Sequence, residues 1–134
     1  MLRYQARISG PLLDRIDLQV DVPAVAADQL AGAADGDASA VIRERVAVAR
    51  ERAQDRQGGA NAFLAGEALD LHCRLDAEAS RFLQGAATRL GWSARGFHRV
   101  LRVARTIADL AASRDIASMH LAEAIQYRRV LQAQ

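Results

Sequence analysis

Apolar and polar residues alternate strictly over residues 16–22. The apolar positions are Ile16, Leu18, Val20 and Val22, and acidic or amide residues stand between them. A period of two is typical of a strand with one buried face, and Pro23 would end it. Residues 10–14, which begin with Gly-Pro, predict a turn that leads the chain into this strand.

After residue 38 the apolar positions recur at helical spacing and predict four helices. Each predicted helix follows a residue that caps helix N-termini: Ser39, Asp76, Ser93 and Ser118. The first would bury Ile42, Val46, Ala49 and Ala53 and end near Gln57, because glycines follow. Gly91 would end the second helix, and the third would run to about Ala112. The predicted fold class is all-α, a small four-helix bundle.

Residues 60–75 fit neither period well. Their large apolar residues, which should be buried, are Phe63, Leu64, Leu69, Leu71 and Leu75. For these residues we expect short turns and an extended segment that covers the core.

The predicted strand has no partner in the chain, and an isolated hairpin is already marginal in water. Its sheet should therefore lie outside this sequence, which would make the sequence part of a larger protein. Residues 1–38 would then be poorly ordered on their own, and residues 39–134 would form the helical domain.

Composition limits the chemistry. The 134 residues include eighteen basic ones, all of them arginine, so the chain has no lysine for a phosphate-binding P-loop or for Schiff-base catalysis. A general preference of the source genome for arginine would also explain why all basic residues are arginine. A lone cysteine, Cys73, excludes an internal disulfide and indicates a reducing compartment. Because no long apolar run occurs, we expect a cytoplasmic protein without membrane contact.

The third predicted helix has two faces. Arg95, Arg99, Arg102 and Arg105 fall on one side, opposite the apolar residues. For Arg99, Arg102 and Arg105 the alternative to a binding role is an ordinary solvent-exposed face. On such a face Arg105 and Asp109 would form a weak surface ion pair. Arg95 lies just inside the helix N-terminus, where a cation is unfavourable unless an anion docks there.

Metal chemistry has little support. His72 and Cys73 are adjacent, but His98 and His120 lie on separate predicted helices without a ligand pair at i, i+4 spacing. We expect these side chains to be structural and predict no metal site.

Three motifs together resemble a known family. They are "RISGPLLDRIDLQVDVP", "SARGFHRVLRVARTIADL" and "HLAEAIQYR", and the match runs from about Arg3 to Arg129 in order. They are similar to the C-terminal part of the ComM/YifB group of magnesium-chelatase-like AAA+ ATPases. The resemblance implies that residues 1–38 are a remnant of the AAA+ core and that residues 39–134 are the helical lid domain.

The resemblance also implies site residues. Arg15 corresponds to an arginine finger that reaches the ATP of a neighbouring subunit, and Arg95 to the lid's nucleotide-binding sensor-2 arginine. Ile16 and Asp17 occupy the place of the "FD" of the related MCM helicases, and Asp14 replaces the serine before the arginine. The "DRFG" of the chelatase subunit is absent, which favours work on DNA over metal insertion. The implied parent is a hexameric, ATP- and Mg²⁺-dependent DNA branch-migration or helicase motor of natural transformation, and this chain alone would hold no cofactor.

Two alternatives remain at this stage. Arg95, Arg99 and Arg102 could contact phosphates in a helical nucleic-acid-binding module, although sixteen interspersed acidic residues argue against strong binding. The chain could also serve as an assembly surface between subunits, with its arginines in interface ion pairs.

Overall fold

A computed structural model describes residues 15–26, 32 and 36–129, with the side chain of Arg129 excepted. Within residues 36–129 the chain forms five α-helices and one 3₁₀ turn. They are α1 Ser39–Gln57, the 3₁₀ turn Asn61–Phe63, α2 Gly66–His72, α3 Ala77–Arg89, α4 Ala94–Leu110 and α5 Ser118–Arg129. The all-α fold class is confirmed.

Two of the four predicted caps are confirmed. The carboxylate of Asp76 accepts a hydrogen bond from the Ala79 amide at 2.7 Å, and the Ser93 hydroxyl accepts one from the Gly96 amide at 3.1 Å. Each satisfies an amide in the first turn of its helix that has no intrahelical partner.

The other two caps were predicted wrongly, because α1 and α5 each begin at the serine itself. Ala38 precedes α1 and makes no side-chain cap. At α5 the amide of Ala117 donates to Nδ1 of His120 at 3.0 Å, so an imidazole takes the part that a glutamate plays in a capping box. His120 is buried and has a structural role.

Glycines end two helices as predicted. Gly58 follows α1 with φ 73° and Gly91 follows α3 with φ 60°, both in the left-handed region that glycine enters without steric cost.

Helix α4 lies at the centre of the core. It packs against α5, α1 and the 3₁₀ turn, and α3 packs against α5. The predicted apolar face of α4 is confirmed, because its positions Val100, Leu101, Ala104 and Ala108 are buried, while Phe97 and Ile107 pack partly buried against the same core.

Only the C-terminal half of α1 packs as predicted. Ala49 and Ala53 are buried, but Ile42 and Val46 are nearly half exposed, and Val41 and Val48 are exposed as well. The prediction that Ile42 and Val46 are core residues was therefore wrong. Among the described residues, no element covers the N-terminal half of α1.

Residues 60–75 form regular structure in place of the predicted turns and extended cover. The 3₁₀ turn and α2 bury Leu64 and Leu69, and Leu75 is partly buried. Phe63 is 85% exposed and Leu71 is 55% exposed, so their predicted burial was wrong. Leu71 lies on a seven-residue helix, and so short a helix packed on one face can bury few of its side chains.

The predicted strand over residues 16–22 does not form in the described part of the chain. Residues 15–26 run without regular structure beside α4 and α5, and the Gln19 amide donates to the Tyr127 carbonyl at 2.8 Å. Leu18, Val20 and Val22 are exposed. A strand needs a neighbour to complete its backbone hydrogen bonds, and no described residue supplies one.

Several predictions fall on residues outside the description. The turn at residues 10–14, most of the remnant within residues 1–38 and the last residues of the helical domain, 130–134, belong to this group. Poor order of residues 1–38 stays a prediction. Of the helices in the described ranges, none combines the length and apolar character needed to cross a bilayer.

Candidate functional site on the arginine face of α4

Arg95 stands at the second position of α4 with an exposed side chain. The residue before the helix, Ser93, caps the Gly96 amide, and its carbonyl accepts from Phe97 at 3.0 Å, which fixes the first turn. The exposed guanidinium therefore projects from the end of α4 that carries positive partial charge. An exposed guanidinium at a helix N-terminus favours an anionic ligand, and the binding of an anion by Arg95 stays a prediction.

One turn further along α4, Arg99 contacts the segment 15–26. Its Nη1 donates to the carboxylate of Asp17 and to the backbone carbonyl of Arg15. The Arg99 side chain is 15% exposed and Asp17 is 55% exposed. The interpretation of Arg99 as part of a solvated face was therefore wrong, because a segment more than eighty residues earlier covers it.

Arg15 is exposed at the start of this segment. Its main chain is held by Arg99, while its side chain faces solvent. The structure thus places the predicted finger residue within reach of an arginine that lies one turn from Arg95.

Arg102 follows on the same face and is half-buried. With Asp17, Leu18, Val20, Tyr127 and apolar residues of α4 it lines a groove of about 440 Å³ between the segment and the helices. The solvated-face interpretation holds only in part for Arg102.

Arg105, the last arginine of this face, is 2% exposed. It donates to Asp109 at 3.0 Å and to the carbonyls of Ser113 and Arg114 at 2.7 and 2.8 Å. The expected weak surface pair is a buried one, because the loop after α4 folds back over it. The Arg105 guanidinium holds that loop in place.

Asp109 collects further partners from α1 and the 3₁₀ turn. Arg56 donates to both of its carboxylate oxygens, at 2.6 and 2.9 Å, and Asn61 donates at 2.8 Å. Arg52 donates to the Asp109 carbonyl at 2.6 Å. Burial acts to raise the pKa of Asp109, but the hydrogen bonds from Arg56 and Asn61 and the charge of Arg105 lower it below its ordinary value.

Arg128 of α5 is buried against the first turn of α4. A Cβ on Gly96 would stand 2.8 Å from Nη2 of Arg128, so the missing side chain of Gly96 allows this close approach. The sequence places Arg128 near the C-terminus of α5, where the helix dipole favours a cation. The structure adds that it lies next to the end of α4 that carries Arg95.

Comparison with known proteins shows the family of the chain. The profile of the family described as "Magnesium chelatase, subunit ChlI C-terminal" matches residues 36–128, and that of "Magnesium chelatase, subunit ChlI" matches residues 1–30. The chain belongs to the magnesium chelatase ChlI C-terminal family.

Individual relatives agree with this assignment. The chain is 42% identical over 132 residues to Competence protein ComM of Haemophilus influenzae, which covers 98% of this chain and 26% of that protein. It is 42% identical over 130 residues to the uncharacterized protein YifB of Escherichia coli, covering 96% of this chain and 26% of YifB. An uncharacterized Mycobacterium bovis protein is 38% identical over 131 residues, again with 26% of its length covered.

The resemblance to the ComM/YifB group is thus confirmed, and the chain spans about a quarter of the length of these relatives. The helices belong to the C-terminal domain of a magnesium-chelatase-like protein. Arg95 lies inside the ChlI C-terminal match and Arg15 inside the ChlI match, and the roles predicted for them are not tested by these matches.

Sequence reasoning missed two features of this ChlI C-terminal domain. The first is the cluster of Arg56, Asn61, Arg105 and Asp109, for which the i, i+4 spacing of Arg105 and Asp109 was the available signal. The second is the packing of Arg128 on Gly96. No local pattern signals that contact, since the two residues lie on different helices.

Among the remaining chemical candidates, Cys73 lies in the hydrophobic core. Cys73 is buried, and burial raises the pKa of its thiol to about 11, although Arg105, Arg56 and Arg102 act in the opposite direction. Over the described ranges, no three His, Cys, Asp or Glu side chains come together in a way that could hold a metal ion.

Proposed function

We propose that this chain is the C-terminal lid part of a magnesium-chelatase-like AAA+ ATPase, and that two of its arginines act on ATP. Arg95 serves as the sensor-2 arginine that contacts the triphosphate. Arg15 serves as an arginine finger directed at the ATP of the neighbouring subunit. Family membership and the resemblance of the motifs support both roles.

The observation that carries the proposal is the pattern of exposure along the arginine face. Arg95 and Arg15 are exposed, whereas Arg99 and Arg105 are engaged inside the chain and Arg102 is half-buried. The two motif arginines therefore keep their guanidinium groups available for a partner outside this chain.

A guanidinium group suits the chemistry of phosphoryl transfer. Negative charge is spread over the γ-phosphoryl oxygens in the transition state, and a planar, permanently charged fork can donate two parallel hydrogen bonds to them. Arginine fingers of GTPases are worth roughly 10³ to 10⁵ in kcat, which sets the scale for Arg15.

The rest of the site belongs to the remaining polypeptide. The chain has no lysine to serve a P-loop, so we assign the binding of ATP and Mg²⁺ to the AAA+ core that this chain would accompany. Mg²⁺ bound there would neutralise part of the negative charge of the phosphates. The exposed apolar residues on α1 support a covering partner of this kind.

We further propose that the parent is a cytoplasmic, ring-shaped hexamer that moves DNA branches or unwinds DNA. Similarity to a competence protein supports a role in natural transformation. The alternative of a helical nucleic-acid-binding module loses support, because Arg99 and Arg102 are not freely exposed for phosphates. The exposed N-terminal half of α1 still supports the alternative that the chain is an assembly surface between subunits.

The test compares Arg15→Ala, Arg95→Ala and the exposed control Arg89→Ala in the full-length protein. We expect ATP hydrolysis to fall by at least about a thousandfold for Arg15→Ala and to fall for Arg95→Ala, with hexamers intact on size-exclusion chromatography. If either variant hydrolyses ATP at the normal rate, the arginine replaced in that variant has no catalytic role. Loss of the hexamer with normal hydrolysis per assembled site would favour the assembly function.

A further inference from the structure

Arg99 joins two parts of the chain that are distant in sequence. It lies in the second turn of α4, and its Nη1 donates to the backbone carbonyl of Arg15 and to the carboxylate of Asp17. Both acceptors belong to the segment 15–26, which carries the proposed finger. A second tie, from the Gln19 amide to the Tyr127 carbonyl on α5, fixes the next part of the segment.

We propose that Arg99 is a positioning residue for the arginine finger: it holds the backbone of Arg15 on α4, so that the finger moves with the helix that carries Arg95. This inference rests on the proposed function and adds to it. Through this contact, Arg99 would link two nucleotide sites. One holds the triphosphate that Arg95 contacts, and the other holds the triphosphate that Arg15 reaches.

The contact geometry supports positioning. An arginine side chain has several rotatable bonds, so the placement of its guanidinium depends first on where its backbone is fixed. Arg99 holds that backbone at the carbonyl of Arg15 itself and at a side chain two residues later. These two contacts limit both the location and the direction of the peptide that bears the finger.

Burial separates this role from a direct contact with ligand. Arg99 is 15% exposed, and its guanidinium is already engaged by the segment, whereas Arg95, one turn earlier, is exposed. Residues at i and i+4 of a helix are neighbours on one face, so a displacement of the first turn of α4 is passed to Arg99 over a short distance. Arg99 therefore acts through Arg15.

The first experiment is kinetic and uses the full-length protein. We expect Arg99→Gln and Asp17→Ala each to lower kcat roughly ten- to a hundredfold by displacing the finger, while KM for ATP stays within about twofold. The double variant should be no worse than the more impaired single variant, since Arg99→Gln already removes the contact that Asp17→Ala removes. Arg99→Lys should recover part of kcat, because an ammonium group can still donate to one acceptor.

Arg89→Gln is the matched control. It removes the same charge from an exposed site at the end of α3 and should leave kcat unchanged. If Arg99→Gln and Asp17→Ala both match Arg89→Gln, the positioning role is wrong. Should Arg99→Gln prevent folding, Asp17→Ala and Arg99→Lys still decide, because Asp17 is largely exposed.

A second readout is independent of activity. Trypsin cleaves after Arg15, and cleavage requires the Arg15 carbonyl to leave Arg99. We expect Arg99→Gln to speed cleavage at this bond about tenfold in the 134-residue chain, with Arg89→Gln equal to wild type. Equal cleavage rates in wild type, Arg99→Gln and Arg89→Gln would contradict the proposal that Arg99 holds the Arg15 carbonyl.

The two proposals can fail separately. If Arg15→Ala hydrolyses ATP normally, the finger itself is absent and the proposed function fails. If Arg15→Ala is inactive while Arg99→Gln behaves as the control in kinetics and proteolysis, the finger stands and only its positioning by Arg99 is refuted.

Discussion

Arg56 of α1 donates to both carboxylate oxygens of Asp109 on α4, at 2.6 and 2.9 Å. The aspartate is 1% exposed and also accepts from Arg105 and Asn61. Helix α1 buries only Ala49 and Ala53 against the bundle, so this polar cluster supplies much of the specific contact that holds α1 on α4. The lid therefore depends on a charged cluster at a position where an apolar contact would be usual.

The first prediction concerns the stability of this cluster. Asp109→Asn leaves Arg56 and Arg105 without their shared counter-charge, and breaking a buried ion pair from one side costs about 3 kcal/mol. Urea unfolding followed by circular dichroism would measure the free energy of unfolding. Asp70→Asn, at an exposed position of α2, should unfold as wild type does. An unchanged midpoint for Asp109→Asn would show that the cluster contributes no net stability.

The second prediction is the acid response of the same residue. The pKa of Asp109 lies below its ordinary value of 3.8 in the folded chain. Its stabilising effect is therefore complete above that value and is lost as the pH falls towards the folded pKa, since the unfolded chain binds the proton first. Urea unfolding at steps from about pH 5 to pH 2 should show a steeper loss in wild type than in Asp109→Asn.

The Asp70→Asn chain again serves as the control and should keep the steep wild-type slope. Parallel pH profiles for wild type and Asp109→Asn would mean that the Asp109 carboxyl does not change its pKa on folding.

The third prediction concerns Cys73. With its pKa raised to about 11, the thiol is protonated at neutral pH and is shielded by the core. Only the thiolate reacts quickly with disulfide reagents, and roughly one thiol in a thousand is ionised at pH 8. Reaction with an aromatic disulfide should therefore be slow in the native chain and complete within the mixing time in denaturant. Fast labelling under native conditions would place Cys73 at an accessible surface.

The fourth prediction distinguishes a finger that acts between subunits. In the proposed full-length hexamer, Arg15→Ala subunits would keep an intact P-loop, whereas subunits with the P-loop lysine replaced would keep the proposed finger. Mixing the two inactive proteins should restore part of the ATPase activity, because some interfaces then combine one intact half from each.

The same mixing experiment assigns Arg95. Restored activity with Arg95→Ala subunits would mean that Arg95 contacts the ATP of the neighbouring subunit, and no restoration would place it on the ATP of its own subunit. If Arg15→Ala shows no recovery while its mixed hexamers assemble, the finger does not act in trans.

Local chemistry decided the features that sequence reasoning predicted correctly. Asp76 and Ser93 cap amides three residues later, and Gly58 and Gly91 end helices through their own backbone angles. The apolar face of α4 follows from the period of the helix alone. Each of these features depends on residues within about one or two turns, so the sequence contains the information directly.

Burial of the charged residues could not be predicted in this way. Arg99 and Arg105 share one helical face with the exposed Arg95, and nothing in their spacing separates them. What separates them is the segment 15–26 over Arg99 and the loop after α4 over Arg105. Likewise, Ile42 and Val46 have the spacing of core residues but no described element packs on them.

The sequence by itself determined the helical class, most helix ends and the resemblance that points to Arg15 and Arg95. Only the tertiary structure decided which arginines remain available and which hold the fold together. The reason is that the contacts of Arg99 with Asp17 and of Arg56 with Asp109 join residues 82 and 53 positions apart. Such contacts form only when separate elements pack, and no local pattern records them.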